Sequence, residues 1–132
     1  MSAAGYSGTP LWQKLGFKPG MKIALVHAPA HYENLLADAP DGLVFTQTAK
    51  ASDAIHLFID GAKGLAEIAK LAAHLPPALM LWVSWPKLTS KLSTGLREDD
   101  IRKAALAAGL VDIKVCAVDQ NWSGLKLTRR RK

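Results

Sequence analysis

Met21 to Val26 reads MKIALV, a short continuous apolar run that marks a strand covered by helices on both faces. Further strands are read at Leu43 to Thr46, 54-AIHLFI-59 and 79-LMLWVSW-85, and two final ones at 111-VDIKVCAV-118 and 122-WSGLKLTR-129. Between them the apolar spacing lengthens to that of a helix. Tyr32 to Leu36 predicts a short helix, closed by the turn Asp38-Ala39-Pro40-Asp41-Gly42. Leu65, Ile68, Ala69, Ala72 and Leu75 form one face of a second helix and Lys63, Glu67, Lys70 and His74 the other. Asp60 stands where a helix cap is expected, and Pro76-Pro77 ends the segment because proline has no N–H to continue it. A third helix opens on Glu98, Asp99 and Asp100, whose charge complements the helix dipole. It buries Ile101, Ala104, Ala105 and Ala108, and Gly109 is the expected left-handed terminator.

Strand and helix alternate, so the chain is expected to fold as α/β, an open three-layer sheet with right-handed crossovers. The last two strands are separated only by Asp119-Gln120-Asn121, a hairpin spacing that makes them antiparallel. The 132 residues fit one domain, 1–132, with an N-terminal arm over 1–20 and a basic tail over 129–132. Within the arm, a helical turn is expected around Leu11 to Leu15. Gly5, Tyr6 and Gly8 have the small-residue and anchor pattern of a lid folding back over a rim; a frayed terminus is the alternative.

An apolar content of 49% against 21% charged excludes a disordered chain. No apolar run approaches the roughly 20 residues that span a bilayer. The first residues lack the basic-then-apolar plan of a secretory signal, so a cytoplasmic protein is expected. A single cysteine, Cys116, allows neither an internal disulfide nor a cysteine-based zinc cluster. The net charge of +6 is concentrated at one end. Four of the 17 basic residues are Arg129, Arg130, Arg131 and Lys132, and the remaining 13 against 11 acidic residues leave only +2. Nucleic-acid binding is therefore not the expected role, and a tail touching phosphates is the weaker alternative to a solvated one.

Over nearly its whole length the sequence resembles a family of small bacterial proteins described as a domain of unknown function. The blocks that carry this are AAGYSGTPLWQKLGFKPGMKIALVHAP, AIHLF, MLWVSWPK and LVDIKVCAVDQNWSGLKL. KPGMKIALV, the acidic helix start and the final hairpin are also similar to the core of class I S-adenosylmethionine-dependent methyltransferases, a Rossmann-like fold whose last strand inserts antiparallel. That resemblance implies the sheet order 2-1-3-4-6-5, shortened by one helix-strand unit after the second strand. The second strand would then be a short edge where a homodimer could pair.

The sequence departs from cofactor users at two points. A dinucleotide- or adenosyl-binding first strand leads into glycines, because a Cβ there blocks the approach of ribose or phosphate. This chain has His27-Ala28-Pro29-Ala30-His31, and Pro29 removes an N–H as well. The second strand ends in Phe45-Thr46-Gln47, without the acidic residue that grips ribose hydroxyls.

The functional edge of an open α/β sheet lies at the carboxyl ends of its parallel strands. His27, Gln47, Ser84, Trp85, Lys87, Asp119 and Trp122 are the ligand-binding candidates there. Trp85 and Trp122 would wall a planar ligand or, alternatively, cap the sheet. Lys87 would neutralise a phosphate or carboxylate, and Asp119 with Asp60 would form an acid/base pair unless they are only turn and cap residues. His27 and His31 are four apart, but Pro29 keeps them off one helical turn and no third ligand is near, so no metal is expected. Ser84 lacks the glycines of a nucleophile elbow. His56 reads as a hydrogen-bonded core histidine, and Cys116 as a buried, inert thiol. No catalytic residue and no cofactor is identified.

The expected role is a binding domain for a small planar or anionic ligand, or a partner, without conventional adenosylmethionine or dinucleotide binding. The alternative is an atypical methyltransferase-like enzyme.

Overall fold

In the computed structural model, residues 10–39, 41–47, 52–73 and 79–129 are described. Six strands form one sheet: β1 (Lys22–Val26), β2 (Val44–Thr46), β3 (Ala54–Phe58), β4 (Met80–Pro86), β5 (Leu110–Ala117) and β6 (Trp122–Arg129). The helices are α1 (Leu11–Lys14), α2 (Tyr32–Leu35), α3 (Leu65–Ala72) and α4 (Glu98–Ala107). The sheet order is β2-β1-β3-β4-β6-β5, the order implied by the resemblance to the methyltransferase core. β1 pairs in parallel with β2 and β3, and β3 with β4, whereas β6 is antiparallel to both β4 and β5.

Two apolar layers sandwich the sheet, and the period-2 alternation of the strands sorts residues between them. Ile55, Leu57, Leu81, Val83, Leu125 and Leu127 face α3 and α4, against Ile68, Ala72, Ile101 and Ala105. Ala54, Phe58, Trp82 and Trp122 face the other way, against Leu15, Phe17, Tyr32 and Leu36. β3 is buried at every position, as a central strand with two covered faces must be. At one edge, β2 is three residues long with Val44 exposed. At the other, β5 carries a register shift between Asp112 and Lys114, with Ile113 and Val115 exposed.

The arm does more than precede the first strand. Residues Leu11 to Phe17 pack on the sheet, and the fully buried Trp82 donates its indole N–H to the carbonyl of Leu15 at 2.9 Å. This bond satisfies the single polar atom of an otherwise apolar ring and pins the end of α1 to the centre of β4. The lid expected from Gly5, Tyr6 and Gly8 lies outside the described residues. So do Arg130, Arg131 and Lys132 of the tail. Arg129 ends β6, where its guanidinium donates to the carbonyl of Ala72 near the C-terminal end of α3, 2.7 Å away.

The helix ends follow their local chemistry with one correction. Asp100 accepts the backbone N–H of Arg97 at 2.9 Å at the start of α4, and Gly109 ends that helix at φ 85°. Arg102 bonds Glu98 on its own helix, Asp99 at 2.7 Å and Asp112 on β5 at 3.2 Å, tying α4 to the sheet edge. Glu98 first, and then Asp112, hold the guanidinium pKa above its ordinary value. Asp60, expected to cap α3, does not: a 3-10 turn over Ala62–Gly64 intervenes, and α3 begins after Gly64 with no side-chain cap bond. Ala69 is exposed, leaving Ile68 and Ala72 as the buried residues of that helix.

The approach of α3 to the end of β3 requires Gly64. A Cβ there would stand 2.5 Å from Ile59 Cβ and 2.7 Å from its Cγ2, nearer than real carbons pack. Ile59 is 3% exposed and has no room to yield. Gly64→Ala is expected to destabilise the fold by about 1–3 kcal/mol, the range for overpacking a filled core. Urea denaturation with an unchanged slope is the measurement that checks it.

Candidate functional site

The chain leaves β1 by a sharp turn. His27, the first residue beyond the strand, adopts φ 59°, the only described non-glycine residue with positive φ. Left-handed backbone costs a side-chain-bearing residue roughly 1–2 kcal/mol, and such conformations persist where surrounding structure holds them, often at binding sites. The imidazole thus occupies the kind of backbone position where a nucleotide-binding turn would use glycine.

Below that turn lies a groove of about 630 Å³, between the carboxyl ends of β1 and β2 and the start of α2. Its apolar lining comes from Leu25, Val26, Ala28, Tyr32 and Phe45, and its polar groups are His27, Glu33, Thr46 and Gln47. The volume falls within the roughly 300–1,000 Å³ typical of small-molecule sites. Two of the sequence candidates, His27 and Gln47, are therefore brought together.

The wall formed by α2 is fixed from beneath. Tyr32, 2% exposed, places its hydroxyl 2.9 Å from His56 Nδ1, and His56 Nε2 lies 2.7 Å from Ser84 Oγ. Either neutral tautomer of His56 completes this chain with one donor at each junction. The Tyr32 ring also meets Phe45, His56 and Phe58 edge-on, with centroids 5.8, 5.3 and 5.6 Å away. Burial pushes the phenol pKa up and the imidazole down, to about 3 for His56, so both are neutral at ordinary pH.

Ser84 was expected on the rim and is instead fully buried within this chain. β4 turns its side chain toward the interior layer, into space kept by Gly124, where a Cβ would come within 3.3 Å of Ser84 Oγ. The Ser84–His56 contact has the composition of a hydrolase dyad, but both residues are 0% exposed and no substrate carbonyl can reach them.

The tryptophans do not face one another across a ligand. Trp85 packs into the α3/α4 layer and Trp122 into the α1/α2 layer, because Trp85 pairs with Ser123 and Pro86 with Trp122, which puts the two indoles on opposite faces. Both are nearly buried, at 4% and 7% exposure. Trp122 contacts Phe58 edge-on at 5.0 Å, while its indole N–H has no partner among the described residues. An unpaired buried donor costs about 1–3 kcal/mol, which the apolar burial of a large ring offsets.

Asp119 and Lys87 serve the far side of the rim. Asp119 Oδ1 accepts the backbone N–H groups of Asn121 and Trp122 at 2.8 and 2.9 Å, and Oδ2 lies 3.0 Å from His31 Nε2. It is thus a turn residue that also ties the hairpin to the loop before α2. Lys87 lines a separate groove of about 460 Å³ with Trp85, Arg97, Glu98 and Asp99. Sequence reasoning missed Glu33, Thr46, Tyr32 and Phe45 as groove residues. Thr46, at the end of a predicted parallel strand, carried a legible signal; Glu33 did not, since an acidic residue in a first helical turn already has a local explanation. Cys116 is half-buried, and desolvation raises its thiol pKa, outweighing Lys14 and Lys114. Among the described residues no cluster of metal-ligating side chains occurs, and no helix is long and apolar enough to cross a membrane.

No protein-family model matches the chain, and no curated protein matches it. Solved structures do. A ribosomal protein L11 methylase from Lactobacillus delbrueckii subsp. bulgaricus superposes with a TM-score of 0.55 at 17% identity, over 92% of this chain and 76% of that one. A candidate type 11 methyltransferase from Sulfolobus solfataricus gives 0.59 at 14%, over 92% and 90%. An O-methyltransferase family 2 protein from Planctomyces limnophilus, solved with apigenin, gives 0.62 at 12%, over 84% and 50%. The fold is therefore that of class I methyltransferase-like Rossmann domains, which by itself assigns no activity.

The buried imidazole makes stability depend on pH. Above about 6.5 His56 is neutral in both the folded and unfolded states; below that, the unfolded chain takes up a proton that the folded one refuses until about pH 3. Stability should accordingly fall as pH drops from 6.5 toward 5, by up to about 1.4 kcal/mol per pH unit. Urea denaturation at a series of pH values, with His56→Gln losing most of this slope, is the check.

Proposed function

We propose that this protein is a small-ligand-binding Rossmann-like domain whose ligand seats in the β1–β2 groove. The observation that carries this reading is the groove itself, at the carboxyl ends of parallel strands, with an apolar wall and His27, Thr46 and Gln47 among its polar groups. A phosphate-cradling mode is disfavoured chemically. The turn after β1 places a left-handed histidine and a proline where successive backbone N–H groups would be needed. In a fragment screen read by backbone amide shifts, hits are expected to perturb Phe45, Thr46, Gln47 and His27. Hits that instead gather around Lys87, Leu88 and Arg97 would move the site to the other groove.

A second reading, an atypical S-adenosylmethionine-dependent methyltransferase, is supported by the neighbouring folds, one of which, LepI, was solved in complex with SAM. Calorimetric titration with S-adenosylmethionine and S-adenosylhomocysteine separates the two. Under the first reading both bind more weakly than about 1 mM, less than about 4 kcal/mol of binding. Micromolar binding of both would overturn the first and favour the second.

A further inference from the structure

The charge of the groove opposes the charge of the chain. Although the protein carries a formal +6, no Lys or Arg is among the described residues that line the β1–β2 groove, and Glu33 is the one carboxylate among them. Glu33 is exposed on α2 and makes no ion pair among the described residues. Lys87, the cation expected from sequence to meet an anionic ligand, lines the other groove with Trp85.

Resting on the reading that this groove is the ligand site, we infer that it selects a ligand combining a planar ring with a positively charged nitrogen. Phe45, partly exposed and braced edge-on by the buried Tyr32, gives a ring an apolar, quadrupolar surface. An aromatic face and a carboxylate both attract a cation. An anion would meet Glu33 with no compensating cation among the described lining residues, and Pro29 in the adjoining turn donates no N–H to it. Gln47, exposed just beyond the end of β2, can hydrogen-bond the ring's heteroatoms or substituents. Glu33 thus acts as a specificity-determining residue, placed on α2 and not at the end of β2.

Three probes with one ring and three charges test this: tryptamine (cation), tryptophol (neutral) and indole-3-acetate (anion), titrated into the full chain and followed by amide shifts of His27, Thr46 and Gln47. Tryptamine should bind at least about tenfold more tightly than indole-3-acetate, a difference of about 1.4 kcal/mol. In Glu33→Gln, an exposed and nearly isosteric change, that ratio should fall to about threefold or less while tryptophol binding changes less than about twofold. Raising salt from about 20 mM to about 500 mM should compress the wild-type ratio in the same direction. Equal or tighter binding of indole-3-acetate, or a ratio unmoved by Glu33→Gln and by salt, overturns the charge selection and leaves the groove assignment standing. If none of the three probes moves the groove amides at about 10 mM, far above the range of useful fragment affinity, both fall.

Discussion

Tyr32, His56 and Ser84 bring a phenol, an imidazole and a hydroxyl into a layer that excludes water, and each finds a partner in the others. Leaving any one unpaired would cost the desolvation of a buried polar group, so α2, β3 and β4 are held in one relative position. The chain runs from the helix that walls the groove to the middle of the sheet. Its aromatic surroundings reinforce that position, because Tyr32 meets three rings edge-on and His56 stacks on Phe58 at 4.3 Å. A helix of only four residues could not hold its place by backbone hydrogen bonds alone.

That anchoring gives the turn between β1 and α2 its shape. With Tyr32 fixed beneath and β1 fixed beside β3, the residues from His27 to His31 must cross a short span, and His27 takes the left-handed conformation that closes it. The groove is the space left between this turn and the end of the short edge strand β2. On the other side of the rim, Asp119 secures the β5–β6 hairpin to its own backbone and to His31. The rim is therefore divided: a groove at β1–β2, a tied hairpin, and a second groove beside Lys87, with no residue shared between the two grooves.

The alternation of runs such as MKIALV and AIHLF with helical spacing was enough to read the three-layer sheet, and the three-residue gap before Trp122 to read its antiparallel end. His56 was legible as a core histidine because it sits among apolar neighbours in a strand covered on both faces. Asp60 was misread for a local reason: cap preference depends on where the helix begins, and a 3-10 turn displaced that start by several residues. Which faces Trp85 and Trp122 occupy was not legible for a nonlocal reason, since only the pairing of β4 with β6 reveals which face each strand presents at the rim.

Sequence by itself determined which segments are strands and helices, that they form a layered α/β sheet, and that the turn after β1 lacks the glycines of a phosphate cradle. These follow from periodicity, from proline and glycine chemistry, and from steric rules that act over a few residues. The tertiary structure alone decided that Ser84 points inward to His56, that the two tryptophans lie on opposite faces, and that Glu33 joins Thr46 and Gln47 in one groove. Those outcomes depend on strand register and helix placement, which are set by contacts between residues far apart in the chain and leave no periodic mark within it.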